Sequence, residues 1–234
     1  MSLILAIETS SEVASCALLS GATVLSREST GVRTHSQSIL PMVQELLTDA
    51  GVTLAQCDAI AFGAGPGSFT GIRIGCGVAQ GLALGAELPV VAVPTLAAIA
   101  QEVFRTRGWD RVLACLDARM HEVYTAAYAR GDGAWREVAP PSVLPPAAVQ
   151  HPHPVGDAGW QGAGNGFAAY PGLAAQLELS GIAADARPTA QSIGELAVLR
   201  FAAGEGVAAI DALPLYVRHR VALTSAEQGA GARL

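Results

Sequence analysis

A glycine-rich segment, residues 63–73, carries the residue types in this chain that are best suited to binding an anion. It reads Gly-Ala-Gly-Pro-Gly-Ser-Phe-Thr-Gly-Ile-Arg, and it joins an apolar run that predicts a strand to a run that predicts a helix. Free N–H groups at the start of a helix bind phosphate, glycines let a ligand approach the backbone, and Thr70 could cap the helix. The segment has neither the lysine of a Walker P-loop nor the glycine spacing of a dinucleotide-binding loop. It predicts either a phosphate-binding turn or a tight strand-to-helix turn without a ligand.

Three carboxylates, Glu8, Asp58 and Asp117, lie at or near the ends of predicted strands. Such a trio could hold Mg²⁺, as in nucleases and phosphotransferases. Asp58, however, precedes its strand, so we expect it at the opposite edge of the sheet from the other two. This placement favours structural roles for the three carboxylates over a metal cluster.

The five histidines show none of the spacings that bind catalytic zinc, HExxH or HxxxH, which excludes a zincin-like protease. His151 and His153, two residues apart in a proline-rich stretch, are a weak metal signal. His35 could touch an anion or cap a helix. No serine lies in a Gly-x-Ser-x-Gly elbow, and no nucleophile–base pair can be named. We therefore expect no catalytic residue, no metal and no cofactor in this chain.

The charged residues exclude further classes of function. All 14 basic residues are arginine, which excludes a Walker lysine, a Schiff-base lysine and a Ser–Lys pair, and the net charge is −6. An acidic chain is not expected to bind nucleic acid tightly by itself. The small basic cluster at 218–220, Arg-His-Arg, is interpreted as solvated surface.

The cysteines and the apolar stretches indicate a cytoplasmic protein with no membrane span. The four scattered cysteines form no CxxC pair, so we expect free buried thiols in a reducing compartment. The most apolar stretch, 74–100, is interrupted by Gln80, Glu87, Pro89 and Pro94. It predicts separate short elements rather than a membrane helix.

Hydrophobic periodicity divides the chain into two similar halves. In the first half it predicts strands at 3–7, 14–19, 23–28, 59–63 and 89–93 and helices at 36–50, 70–84 and 95–105. In the second half it predicts strands at 112–116, 122–129 and 135–138, an irregular exposed proline-rich stretch at 140–154, and a helix at 190–203. We expect an α/β protein of βββαβα-type lobes, 1–105 and 106–220. The second lobe is degenerate, part of the C-terminal segment joins the first lobe, and 221–234 is a flexible tail.

The predicted helix 70–84 is apolar around nearly its whole circumference. Only Arg73 and Gln80 interrupt its apolar surface, and several glycines reduce its bulk. Because a helix that is apolar all round must be covered all round, either a neighbouring part of the chain or a partner must pack on its outer side.

Several of these segments resemble the TsaB (YeaZ) family. The matching segments of the first half are residues 5–11, 33–37, 40–42, 65–73, 80–85 and 116–119. Among them Gly-Pro-Gly-Ser-Phe-Thr-Gly-Ile-Arg, at 65–73, is the most specific. The second half matches through 164–166 and 213–218. The resemblance implies a two-lobe fold of the actin, Hsp70 and sugar-kinase type (ASKHA, RNase H-like).

The resemblance also implies a function that needs no active site in this chain. Members of this family are the non-catalytic partners of TsaD, which holds the metal and transfers a threonylcarbamoyl group to adenosine 37 of tRNAs reading ANN codons. The implied partners are TsaD in a heterodimer, the ATPase TsaE in a larger complex, and a second copy when the chain is alone. tRNA would be contacted only indirectly.

Family members pair through the first two helices of the N-terminal lobe, which here are 36–50 and 70–84. The candidate interface residues carried onto this chain are Ile39, Met42, Val43, Leu46, Ile72, Arg73, Gly75, Val78, Ala79 and Leu82. The second helix is the one whose apolar surface requires a cover.

In this fold, the turns at 8–10 and 117–119 would flank the phosphates of a nucleotide. The candidate phosphate-binding residues are Glu8, Thr9, Gly65, Gly67, Ser68 and Thr70. Glu8 stands where related kinases carry aspartate, and Arg119 where a small residue would admit phosphate, so the chain is not expected to use ATP by itself. Three other functions remain open: an ATP-dependent small-molecule phosphotransferase, a peptidase, which lacks its metal ligands here, and an RNase H-like nuclease.

Overall fold

Two five-stranded sheets, one in each half of the chain, carry the fold. The computed structural model describes residues 2–29, 34–152 and 159–218. The strands of the first sheet are β1 (Leu3–Glu8), β2 (Ser15–Ser20), β3 (Thr23–Glu28), β4 (Ala59–Gly65) and β5 (Val90–Pro94). Those of the second are β6 (Arg111–Asp117), β7 (Val123–Gly131), β8 (Ala134–Leu144), β9 (Gln161–Ala163) and β10 (Gly181–Ala183).

The two sheets share one strand order. It is β3-β2-β1-β4-β5 in the first sheet and β8-β7-β6-β9-β10 in the second. In both, the first three strands in sequence are antiparallel neighbours, and the last two run parallel to the first of them. The repeat confirms the expected two-lobe α/β fold. With only three residues each, β9 and β10 confirm that the second lobe is degenerate.

Helices cover both faces of the first sheet, because the apolar side chains of its central strand, β1, point alternately to the two faces. The helices are α1 (His35–Ala50), α2 (Phe69–Ala86), α3 (Thr95–Arg107), α4 (Gly166–Ala169), α5 (Gly172–Gln176) and α6 (Ala190–Ala202). Leu5 and Ile7 of β1 point to one face and pack with α1 and α2, whereas Ile4 and Ala6 point to the other and pack with α6. α3 packs against β6 and so lies between the two sheets. None of the helices among the described residues has the length and hydropathy to cross a bilayer.

α6 extends the first lobe although it follows the second in sequence. Its buried residues Ile193, Leu196 and Ala197 pack against β1, β2 and β4 of the first sheet. The range expected for the second lobe, 106–220, therefore contains a helix that packs on the first lobe. The predicted tail, 221–234, lies outside the described residues.

β8 corrects the expectation of an irregular proline-rich stretch beginning at residue 140. The strand runs for 11 residues and includes Pro140 and Pro141. β8 lies at the edge of the second sheet, where a residue without an N–H group does not break a ladder on its open side. The prolines therefore mark an edge strand rather than a loop.

The last described segment, residues 207–218, forms a strap across the first lobe. It begins with a backbone bridge between Val207 and Val90 of β5. Ala212 is fully buried, and its carbonyl accepts a hydrogen bond from Nε2 of Gln80 on α2 at 2.9 Å. Leu215 then donates its N–H to the Ala64 carbonyl at 2.8 Å. The C-terminal strap thus covers one side of α2, the apolar helix whose cover the sequence left open.

Candidate functional site

A cleft of about 730 Å³ lies between the two lobes. The first lobe lines it with residues that follow β1 and with the turn between β4 and α2, and the second lobe lines it with the turn that follows β6. Residues 215–218 of the C-terminal strap complete the wall. The carboxyl ends of the two central strands, β1 and β6, therefore face each other across the cleft.

The glycines of the β4–α2 turn serve close packing between two backbone segments. Ser68 donates its N–H to the Ser10 carbonyl at 2.8 Å, and Thr9 Oγ1 donates to the Gly71 carbonyl at 2.7 Å. A Cβ atom at Gly71 would lie 1.9 Å from the Thr9 carbonyl oxygen, and one at Gly67 would lie 2.6 Å from the Ser10 carbonyl oxygen. Close packing against the turn after β1 thus requires glycine at positions 67 and 71, whether or not a phosphate binds.

Ser68, not Thr70, caps α2. Oγ of Ser68 accepts the N–H of Gly71 at 3.2 Å, whereas Thr70 is exposed in the first turn of the helix. Of the six candidate phosphate-binding residues, Gly67, Ser68 and Thr70 line the cleft, and phosphate binding at these three stays a prediction. The other three, Glu8, Thr9 and Gly65, are buried and are not among the residues that line the cleft, and phosphate binding at these three also stays a prediction.

Glu8 is a fully buried carboxyl group at the end of β1. Its Oε1 accepts the N–H of Ser10, and its Oε2 has no hydrogen-bond partner among the described residues. Oε2 lies over Gly63, where a Cβ atom would be 1.8 Å away. Burial raises the pKa of Glu8 from 4.5 to about 7. This carboxyl is enclosed by the first lobe and does not reach a metal or phosphate in the cleft.

The other two carboxylates do not join Glu8. Asp58 accepts the N–H of Leu3 at 2.6 Å, which places it at the opposite edge of the sheet, as predicted. Asp117 holds its own turn: its Oδ1 accepts the N–H of Arg119 at 2.9 Å, and its Oδ2 lies 3.2 Å from Nη1 of Arg119. Within the described ranges, no three His, Cys, Asp or Glu side chains are grouped so that they could hold a metal ion. The magnesium cluster of the nuclease alternative is therefore wrong for these three residues.

Two histidines within the described ranges, His35 and His151, take structural positions. Nε2 of His35 lies 2.8 Å from the Ser11 carbonyl, so it joins the start of α1 to the turn after β1. The His151 ring packs edge-on against Trp160, with centroids 6.4 Å apart. His153, the other half of the weak metal signal, lies outside the described residues.

Arg218 corrects the interpretation of the basic cluster as solvated surface. Its side chain is 13% exposed, and its Nη2 lies 2.5 Å from Oε2 of Glu122 and 3.1 Å from the Ala118 carbonyl. The C-terminal strap is thereby joined to the second lobe beside the cleft. Because Arg218 and Glu122 are 96 residues apart in the chain, no local pattern could have paired them. The other two residues of the cluster lie outside the described ranges.

A second polar connection joins the lobes away from the strap. Trp135 of β8 donates its indole N–H to Oε1 of Gln101 on α3 at 2.8 Å. Nε2 of Gln101 in turn donates to Oε2 of Glu195 on α6 at 2.6 Å. The second-lobe hairpin is thus tied to two helices of the first lobe, and the cleft is held between connected lobes.

Most of the residues predicted for the partner interface are buried in the isolated chain, and the interface itself stays a prediction. Seven of the ten candidates are buried in the chain's own core: Ile39, Met42, Val43, Leu46, Ile72, Gly75 and Ala79. Five of them, the four from α1 and Ala79 of α2, belong to the core cluster that packs these helices onto the sheet, and Ile72 lines the cleft. Val78 and Leu82 are partly exposed, and Arg73 is exposed.

The open face of α2 consists of small and apolar residues. Its exposed positions include Gly77, Gly81, Gly85 and Leu84, the last of which is 75% exposed. A Cβ atom at any of the three glycines would meet nothing within 4 Å. Arg73 is the one charged residue of α2, and its Nε donates to Oη of Tyr216 on the C-terminal strap at 3.0 Å. The rest of this face is therefore an uncharged surface with room for another backbone.

Comparison with known proteins agrees with this architecture. The family model described as "TsaD: tRNA N6-adenosine threonylcarbamoyltransferase" matches residues 17–221. The chain is 44% identical to the tRNA threonylcarbamoyladenosine biosynthesis protein TsaB of Escherichia coli K12 over 94% of this chain and 96% of that protein. It is 38% identical to the TsaB protein of Haemophilus influenzae over 93% and 94% of the two chains. The solved structure of YeaZ from Pseudomonas aeruginosa superposes with a TM-score of 0.84 at 44% identity and covers 92% of this chain and 100% of that one. The chain belongs to the TsaB (YeaZ) family.

Proposed function

We propose that this chain is a non-catalytic subunit that activates TsaD by dimerising with it. In this role it would be required for transfer of a threonylcarbamoyl group to adenosine 37 of tRNAs reading ANN codons. The proposal also includes TsaE as an ATPase in a larger complex, a homodimer when TsaD is absent, and only indirect contact with tRNA. The observation that carries it is the open face of α2, which is uncharged apart from Arg73, in a chain that is 44% identical to a TsaB protein.

The polar groups at the cleft support a role without catalysis. Glu8 is enclosed, Asp117 is paired with Arg119, and Ser68 caps a helix. Each of these three groups is therefore either enclosed or engaged in a structural contact. The two polar connections between the lobes also oppose a closing motion of the lobes around a substrate.

The open face of α2 supports a helix-packing partner. Glycines at 77, 81 and 85 are separated by about one helical turn each, so they form a shallow groove along one face. Leu84 and the partly exposed Val78 supply apolar contact at its sides. A helix of TsaD, or of a second copy, could approach this groove closely and bury it. The buried residues of α1 and α2 would then act by holding this face in place.

The test is complex formation by a variant that changes only the open face. Gly81→Arg adds a charged side chain where a Cβ meets nothing within 4 Å, so the isolated subunit should fold normally. Gly172→Arg is the matched control, because Gly172 is an exposed helical glycine with an equally open Cβ in the second lobe. Light scattering of each protein with TsaD from the same source would give the stoichiometry.

We expect one-to-one complexes for the wild type and Gly172→Arg, and none for Gly81→Arg. The wild type and Gly172→Arg should then activate tRNA modification by TsaD, and Gly81→Arg should not. A complex with Gly81→Arg would show that α2 is not the interface. A TsaD preparation that modifies tRNA at full rate without this chain would overturn the function itself.

The phosphotransferase alternative has one observation in its favour, the cleft of about 730 Å³ lined by Gly67, Ser68 and Thr70 at the start of α2. Incubation of the isolated chain with ATP and small hydroxyl compounds tests it. Consumption of ATP that depends on the acceptor would favour this alternative. We expect no turnover, because Glu8 is enclosed and Arg119 occupies the turn at which phosphate would enter.

A further inference from the structure

Large apolar side chains are exposed along the C-terminal strap, residues 207–218. Ten such side chains are exposed among the described residues, and seven of them lie on the strap or on α2. On the strap, Ile210 is 82% exposed and Leu213 is 70% exposed, and Leu215 and Tyr216 are exposed as well. We infer that the strap and the open face of α2 form one docking surface, and that the apolar side chains of the strap contact TsaD there.

The strap is held to the first lobe by its backbone and by a small side chain. Ala212 is fully buried, and its carbonyl accepts hydrogen bonds from Nε2 of Gln80 at 2.9 Å and from Sγ of Cys76 at 3.4 Å. Leu215 donates its N–H to the Ala64 carbonyl at 2.8 Å, while its side chain stays exposed. A segment that only covered α2 would turn its largest apolar side chains inward, because burying a leucine stabilises a fold more than burying an alanine. The outward side chains therefore indicate a second surface that covers them.

The strap lies directly beside the open face of α2. It runs antiparallel to the helix, because Ala212 contacts Gln80 in the second half of α2 and Tyr216 contacts Arg73 in the first half. The Arg73 guanidinium stacks on the ring of Phe69, 3.6 Å from the ring centroid, and this ring lies 6.4 Å from that of Tyr216. The cluster of these three side chains joins the strap to the start of the open face, so the two segments form one continuous surface.

The docking surface has the size that a stable dimer needs. Six of its side chains together expose on the order of 500 Å² of surface: Phe69, Leu84, Ile210, Leu213, Leu215 and Tyr216. Monomeric proteins rarely expose a contiguous apolar patch of more than a few hundred Å². A stable interface buries about 800 Å² on each partner, and the glycines of the open face supply part of the remainder.

The charges and the family match both favour TsaD as the occupant. The docking surface carries one exposed charge of each sign, Arg73 on α2 and Asp211 on the strap, since Arg218 is paired with Glu122. A partner that covers it therefore needs a mainly apolar surface. The family model described for TsaD matches residues 17–221, a range that includes α2 and the whole strap. TsaD is thus expected to carry counterparts of both segments and to offer such a surface. The inference rests on the proposed function, in which TsaD is the partner.

The test is the affinity for TsaD of variants that change only the strap. Ile210→Asp and Leu213→Asp place a carboxylate where the side chain is already largely exposed, so the isolated chain should keep the thermal unfolding midpoint of the wild type. Leu213→Ala removes the same apolar contact without adding a charge. Leu199→Asp is the matched control, because Leu199 is 53% exposed but lies on α6, away from the docking surface.

Calorimetric titration with TsaD from the same source gives the dissociation constants. We expect Ile210→Asp and Leu213→Asp to bind TsaD about tenfold more weakly than the wild type, or weaker still, and Leu213→Ala about fivefold more weakly. Leu199→Asp should bind like the wild type. This pattern would support contact between the strap and TsaD.

Three outcomes would overturn the inference, and they separate it from the proposed function. If all three strap variants bind TsaD as tightly as the wild type while Gly81→Arg prevents the complex, the strap is not part of the interface, and the proposed function stands. If the wild type forms no complex with TsaD, both fail. If the strap variants lose only the association of the chain with itself, measured by light scattering without TsaD, the strap contacts a second copy rather than TsaD.

Discussion

Nη2 of Arg218 lies 2.5 Å from Oε2 of Glu122, and this ion pair fastens the C-terminal strap of the first lobe to the second lobe. The strap reaches this point after packing beside α2 and β4. One segment therefore contacts the helix proposed as the partner interface, the wall of the cleft and the second lobe. The stability of this connection can be measured directly.

Replacing Arg218 should lower the stability of the chain. Arg218→Ala leaves the partly buried Glu122 without its partner and removes a hydrogen bond to the Ala118 carbonyl. We expect the free energy of unfolding to fall by about 1 to 3 kcal/mol, measured by urea denaturation. Arg119→Ala is the control, because the Arg119–Asp117 pair has an 82% exposed arginine and should contribute less than about 0.5 kcal/mol. Equal losses in the two variants would contradict this account of the strap.

Glu8 should make the stability of the chain fall as the pH rises. Its pKa is about 7 in the folded state and 4.5 ordinarily, so between these values the folded state binds more protons than the unfolded state. Stability from this group is thus fully present below about pH 4.5 and is lost as the pH rises towards 7.

Glu8→Gln removes that titration. Between pH 5 and 8, the unfolding free energy of the wild type should fall by about 2 to 3 kcal/mol relative to that of Glu8→Gln. Chemical denaturation of both proteins at several pH values gives the difference. Parallel pH profiles for the two proteins would show that the Glu8 carboxyl titrates normally.

Two glycines of the same helix should respond oppositely to alanine. At Gly71 a Cβ would lie 1.9 Å from the Thr9 carbonyl oxygen, so Gly71→Ala should destabilise the chain by about 2 to 4 kcal/mol. At Gly77 a Cβ meets nothing within 4 Å, so Gly77→Ala should stabilise it by about 0.5 to 1 kcal/mol through helix propensity. Thermal unfolding of both variants measures the contrast. A similar change in both would rule out the packing of the turn after β1 against α2.

The four cysteines should be unreactive in the folded chain. All are buried, and burial raises the pKa of Cys57 to about 11 and the pKa values of Cys16 and Cys115 to about 12. With the native chain at pH 8, the thiol reagent DTNB should give no colour within minutes. After unfolding in urea it should react with all four thiols. Rapid reaction of a thiol in the native protein would show that the core opens at that cysteine.

Local patterns determined most elements of the fold. In β1, Leu5 and Ile7 point to one face of the sheet and Ile4 and Ala6 to the other. This alternation follows from the geometry of any β-strand. Gly51 ends α1 in the left-handed conformation, with φ of 67°, directly after the predicted end of that helix at residue 50. These features depend on residues close together in sequence, so the sequence is sufficient to predict them.

The site depended on contacts that no local pattern encodes. The glycine-rich turn was compatible with phosphate binding or with close packing, and its glycines are explained by the backbone of Thr9 and Ser10 about 60 residues earlier. The sequence indicated that α2 needed cover but not on which side. Packing against the sheet, α1 and the C-terminal strap determines which side of α2 is covered. It buries seven of the ten expected interface residues and leaves the face with Gly77 and Gly81 open. Burial is set by which distant segments pack together, and only the tertiary structure specifies those.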